Sequence, residues 1–128
     1  TPIINKPLSF LKKNDFFAFK QKNSLFAMTA HIVFSKIDPH NTVTHSEKMI
    51  KVIRDTIKFK NLIISDDLSM KSLKYSMKLN TIKALNAGCN LVLHCNGNLY
   101  EMKIVAENSP LIDSFIIKKT SEFYKILS

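Results

Sequence analysis

At 128 residues, the chain has the length of one ordinary domain with a core of normal size. Hydrophobic residues make up 45% and charged residues 23%, which excludes a disordered tail, a collagen-like repeat and a disulfide-built scaffold. The net charge of +9 invites a nucleic-acid reading, but 18 of the 19 basic residues are scattered Lys, and Arg54 stands alone. Base readout and bidentate phosphate contacts favour the guanidinium fork, so the texture of the charge argues against that partner. Apolar runs such as Leu62-Ile63-Ile64 fall far short of a membrane span. The opening residues show no signal segment, and Cys89 and Cys95 alone make no disulfide framework; a reduced, cytoplasmic setting is expected.

Short apolar runs alternate with amphipathic stretches, the rhythm of βα units on a parallel sheet. Residues 15–22 carry Phe16, Phe17 and Phe19 and predict a short helix capped by Asn14. Leu25 to Met28 predicts a buried strand ending at Thr29-Ala30-His31, and a polar loop follows over 35–44 with Asp38-Pro39 as its turn. Met49, Ile50, Ile53 and Ile57 fall at helical spacing over 46–57, with Ser46 as N-cap. Asn61 to Ser65 predicts a second strand, apolar on both faces. A helix over 71–87 comes next, with Leu73, Met77 and Leu85 turned inward and Gly88 beyond its end. Asn90 to His94 predicts the third strand and Asn96-Gly97 a tight turn. Closing helices over 99–107 and 112–127 are parted by Ser109-Pro110.

In parallel α/β architectures the working residues lie at the carboxyl ends of strands. His31, Asp66-Asp67 and His94-Cys95-Asn96 occupy such ends. Adjacent aspartates in extended chain point to opposite sides, so they do not face each other as a carboxylate pair. Two readings stand: both cap the following helix, or one caps while the other points into a site. His31 either orients a substrate or is a satisfied strand-end histidine. His94 and Cys95 lack a closely spaced second pair, so no metal is expected. His40 and His45, in the polar loop, are expected to be solvated, and the two glycines are too few for a phosphate cradle.

Four strings in order carry a resemblance: Ala27-Met28-Thr29-Ala30-His31-Ile32, Ile63-Ile64-Ser65-Asp66-Asp67-Leu68-Ser69-Met70-Lys71, Ala84-Leu85-Asn86-Ala87-Gly88-Cys89 and Cys95-Asn96. Over nearly its whole length the chain resembles the C-terminal part of the catalytic barrel of bacterial β-N-acetylhexosaminidases of glycoside hydrolase family 3. The Ser-Asp-Asp-Leu-Ser-Met string is the specific element. The resemblance implies an α/β fold, the last three βα units of a TIM-type (β/α)8 barrel, with residues 1–128 forming a single partial domain. It also implies a retaining hydrolase that removes terminal N-acetylglucosamine from peptidoglycan-derived sugars without a cofactor, with Asp66 as nucleophile and His31 facing the pocket mouth.

The family's acid/base, a His-Asp dyad on a mobile loop, would lie upstream of Thr1, as would the residues that grip the sugar; the chain holds none of them. Two departures stand out: Ile57-Lys58-Phe59-Lys60-Asn61 replaces a stretch that usually holds glycines, and Asn90 stands where an Asp is usual. Three strands do not close a barrel, so the isolated chain is expected to be marginally stable or to associate, and to lack useful activity unless a complementary upstream chain completes it. The competing readings are a small signalling domain with a phospho-accepting Asp and a basic nucleic-acid-binding protein.

Overall fold

The alternation of apolar runs and amphipathic stretches resolves into an α/β fold whose strands are all parallel; the computed structural model describes residues 1–20 and 24–127. Strands β1 (Ile3–Ile4), β2 (Phe26–Met28), β3 (Val33–Phe34), β4 (Leu62–Asp67) and β5 (Leu91–Leu93) form two sheets. One pairs β1 with β3; the other has the order β2-β4-β5. The central place goes to β4, whose Leu62 and Ile63 are buried on opposite faces, as a central parallel strand requires. Its register sets Phe26 opposite Leu62 and Met28 opposite Ile64. All three runs expected to be strands are strands, and they neighbour one another.

The helices are α1 (Leu8–Lys13), α2 (Glu47–Val52), α3 (Met77–Ala87), α4 (Leu99–Glu107) and α5 (Ser114–Leu127). Ser46 caps α2 as expected, accepting a bond from the Met49 amide. The expected helix over 46–57 changes to a π turn at Ile53–Ile57. At the end of α3, Gly88 takes φ +112°, and a Cβ there would come within 2.9 Å of Ile50 Cγ2, so both conformation and space demand glycine. Helix α4 matches its expected bounds.

Several expectations need correction. The helix predicted from residue 71 begins at Met77, because Leu73 is drawn into the core by a turn on Met70 and Ser76 supplies the cap, accepting from Leu79. The second strand runs on to Asp67, two residues further than expected. Asp15–Phe19 is a 3₁₀ turn: Phe16 is pulled edge-on against Phe34, and the Asn14 amide group bonds back to the Phe10 carbonyl instead of capping forward. Residues 21 and 22 of that predicted helix lie outside the described residues. Strand β2 is not buried on both faces, since Phe26 and Met28 remain partly exposed opposite the Ala27 face.

Two apolar clusters form the core. Ile50, Phe59, Ile63, Leu68, Leu73 and Ala84 fill the space between the larger sheet and α2 and α3. Leu11, Phe16, Phe34, Val43, Met49 and Ile57 gather α1, the 3₁₀ turn and α2 around β3, and Ile53 packs against both groups. The lone arginine is used internally. The Arg54 guanidinium donates to the Phe59 and Asn61 carbonyls and to Asn90 Oδ1, which also accepts from the Ile63 amide. Arg54 and Asn90 thereby tie together the segments entering β4 and β5.

Candidate active site

The carboxyl end of β4 is irregular. Ile64 lies opposite Leu91 but Asp67 lies opposite Leu93, so β4 holds one residue more than its partner over this interval. The fully buried Ser65 hydroxyl accepts the Leu93 amide at 2.9 Å, filling the ladder position the bulge disrupts. A bulge bends the strand and re-aims its side chains, and bulges recur at barrel rims and beside active sites. Here it falls immediately before the two aspartates.

The aspartates then divide. Asp67 is consumed locally: Oδ1 accepts the Ser69 amide and the Cys95 amide, each at 3.0 Å, and Oδ2 accepts the Ser69 hydroxyl at 2.6 Å. Burial pushes its carboxyl upward, but the bonds from Ser69 and Cys95 and the nearby His94 outweigh that and hold it below 3.8. Asp66 is half-buried, and its Oδ1 accepts the amide of Asp67 at 2.8 Å. Neither aspartate caps a helix; that reading is corrected by Ser76, which caps α3.

His31 is 4% exposed and engages both ring nitrogens. Its Nε2 stands 2.8 Å from the Asp67 carbonyl oxygen, which only accepts, so Nε2 carries the proton. Nδ1 stands 2.8 Å from the Thr44 hydroxyl oxygen, which in turn shares a hydrogen bond of 2.9 Å with the Thr29 hydroxyl. The structure therefore brings His31 to the backbone that carries the aspartates.

The third candidate group sits beyond β5. His94 Nε2 and the Asn96 amide group both meet Glu101 Oε2, at 2.9 and 2.7 Å, and these bonds hold the Glu101 carboxyl below its usual range. The exposed Cys95 thiol is pushed up by desolvation and by the charges of Asp67 and Asp66, which disfavours the thiolate a nucleophile needs. Among the described residues no three His, Cys, Asp or Glu side chains group to hold a metal ion.

Sequence reasoning missed part of this site. The anchoring of Asp67 had a local signal, since Asp followed two residues later by Ser is the spacing of an Asx turn. The role of Glu101 had none, because its partners are set by how α4 meets the end of β5. His45, expected to be solvated, is 8% exposed against Tyr75; burial, helped by Lys83 and His31, pushes its pKa down to about 4. The loop folds back as a 3₁₀ turn at Val43–His45, which takes the ring inside.

Parallel strands that deliver a carboxylate and a braced histidine to one rim define an α/β protein of the class whose chemistry sits at strand ends. Residues 1–120 match the N-terminal domain of glycosyl hydrolase family 3, and the chain belongs to that family. A beta-hexosaminidase of Photobacterium profundum is 31% identical over 127 residues, covering 91% of this chain and 38% of the relative. One from Haemophilus ducreyi is 40% identical over 81 residues, covering 61% of this chain and 24% of the relative. Among solved structures, the beta-N-acetylglucosaminidase of Thermotoga maritima superposes with a TM-score of 0.72 at 27% identity, over 96% of this chain and 30% of that one. The chain thus spans well under half the length of these relatives.

Proposed function

We propose that this chain is the nucleophile-bearing portion of a retaining β-N-acetylhexosaminidase, with β2, β4 and β5 as the last three strands of a (β/α)8 barrel. Its substrate is a terminal N-acetylglucosamine on a peptidoglycan-derived sugar, in a cytoplasmic setting. Asp66 is the nucleophile, and His31, which the resemblance places at the pocket mouth, is buried against the backbone of Asp67 and supports the strand end from behind. The single observation that carries the reading is the half-buried Asp66 carboxylate on a bulged strand end, with no helix cap to consume it.

Retention proceeds in two displacements. Asp66 attacks the anomeric carbon, the glycosidic bond breaks, and the leaving oxygen takes a proton from an acid; water then hydrolyses the ester with the same group acting as base. This chain supplies the first carboxylate. The acid/base comes from the upstream part of the barrel, in the same polypeptide or a complementary one. Its absence removes about 10²–10⁴-fold of rate, and the missing sugar contacts remove positioning as well.

The test uses a chromogenic N-acetylglucosaminide with two proteins: this chain alone, and this chain joined to the upstream portion of the Photobacterium profundum relative. The chain alone is expected to release no chromophore above background, and the joined protein to release it with Asp66→Asn lowering the rate at least ~10³-fold. Release by the chain alone that Asp66→Asn abolishes would overturn the loss of activity. Release by the joined protein that Asp66→Asn leaves intact would overturn the nucleophile.

A further inference from the structure

We propose that Asp67 is a positioning residue that fixes the Asp66 carboxylate, and that it is itself braced from both sides, by His31 and by a Glu101-ordered loop. The inference rests on the reading of Asp66 as nucleophile only for its catalytic consequence; the brace is a claim about geometry.

The Asp67 amide is the donor to Asp66 Oδ1, so the orientation of the peptide unit at 67 sets where that oxygen sits. Two further atoms of Asp67 are gripped. On the β2 side its carbonyl accepts His31 Nε2–H, and His31 is held in turn by Thr44 and Thr29, both buried. On the β5 side its Oδ1 accepts the Cys95 amide.

That amide lies in a turn ordered by Glu101, whose Oε2 gathers His94 and Asn96 on either side of Cys95. Asn96 Oδ1 continues the turn by accepting the Asn98 amide, and Asn98 Oδ1 caps α4 at the Glu101 amide. Contacts from both neighbouring strands therefore converge on one residue, where the bulge has removed the regular ladder that would otherwise hold the strand end. A nucleophile displaced by about 1 Å loses on the order of 10²-fold in rate, which is what such a brace prevents.

The experiment reads the site directly in this chain at pH 7, by following the chemical shifts of the Asp66 side-chain carboxyl carbon and the Asp67 amide, and the exchange of the Cys95 amide proton, by NMR. Glu101→Gln keeps the size of a half-exposed side chain and weakens the β5 arm. The Cys95 amide is expected to exchange at least ~10-fold faster, and the Asp66 carboxyl carbon and Asp67 amide signals to shift with it. His31→Ala is expected to shift the same Asp66 and Asp67 signals, and His31→Gln, which keeps an N–H donor, to return them part of the way to their wild-type positions. Glu107→Gln, at the far end of α4, is expected to change neither reading.

Asp66 carboxyl and Asp67 amide signals unmoved by both Glu101→Gln and His31→Ala would overturn the brace, even if the joined protein hydrolyses sugar. An equal shift in Glu107→Gln would overturn it too, since the effect would then be general loosening. Loss of Asp66 dependence in the hydrolysis assay would instead sink the nucleophile reading and leave the brace standing.

Discussion

The strand end around Asp66 and the two closing helices sit side by side in one chain, yet they are built differently. Around β4, Leu62 and Leu68 are essentially inaccessible, Ser65 and Thr44 are fully buried with hydrogen-bond partners, and contacts reach across both neighbouring strands. Helices α4 and α5 contain no buried residue, and Leu99, Tyr100, Tyr124 and Ile126 stand largely in solvent. The aromatic contact that ties α5 to the sheet is Phe123 edge-on to Phe26, on the face of β2 opposite the first cluster. One region completes its own core; the other displays apolar side chains that its own chain does not cover. That contrast fits a chain spanning well under half the length of its relatives, and it favours the proposal that a larger barrel covers what is left open.

Truncating equivalent side chains in the two regions gives the largest effect. Leu68→Ala removes a side chain that is 1% exposed within the first cluster and is expected to cost about 2–5 kcal/mol in urea unfolding. Ile126→Ala, at a position 72% exposed, is expected to stay within about 0.5 kcal/mol of the parent. Equal costs would erase the distinction between the regions.

Acid sharpens the same contrast, because His45 lies in the packed region while α4 and α5 bury no titratable group. The folded value of about 4 lies below the ordinary 6.5, so the unfolded chain takes up the proton first. Stability from this group is complete above about pH 6.5 and is lost as pH falls toward 4. Between pH 7 and pH 5 the loss is about 2 kcal/mol, and His45→Leu is expected to flatten that slope. A slope unchanged by His45→Leu would show that the ring is solvated in solution.

What the sequence made legible follows the reach of each interaction. Strands β2, β4 and β5, the bounds of α4, the Ser46 cap and the glycine after α3 are written in short windows, as run length, capping chemistry or a conformation that glycine favours. The two-residue strands β1 and β3 pair Ile3 with Val33, thirty positions apart, and carry no local signature. Helix α1 follows Pro7 without a side-chain cap, so nothing local announced it. At the site, adjacency told that the aspartates diverge, and the resemblance singled out Asp66. Which of them the neighbours would bind depended on the bulge against β5 and on the Cys95 amide, both made by residues almost thirty positions away.

The smallest expected effect lies within the packed region and asks how much strain it tolerates. Lys58 takes φ +66°, ψ 26°, the left-handed conformation, where the chain leaves the π turn and delivers the buried Phe59 into the first cluster. A residue with a Cβ is disfavoured there by roughly 1–2 kcal/mol, whereas glycine adopts it freely but loses more freedom on folding. The difference leaves Lys58→Gly stabilising by about 0.5–1 kcal/mol, and Lys58→Val, with its branched Cβ, destabilising by about as much or more. Paired urea titrations of the three proteins read this directly. If Lys58→Gly unfolds no later than the parent, the positive φ is not a strained position, and the well-filled cluster beneath Phe59 is not holding it against resistance.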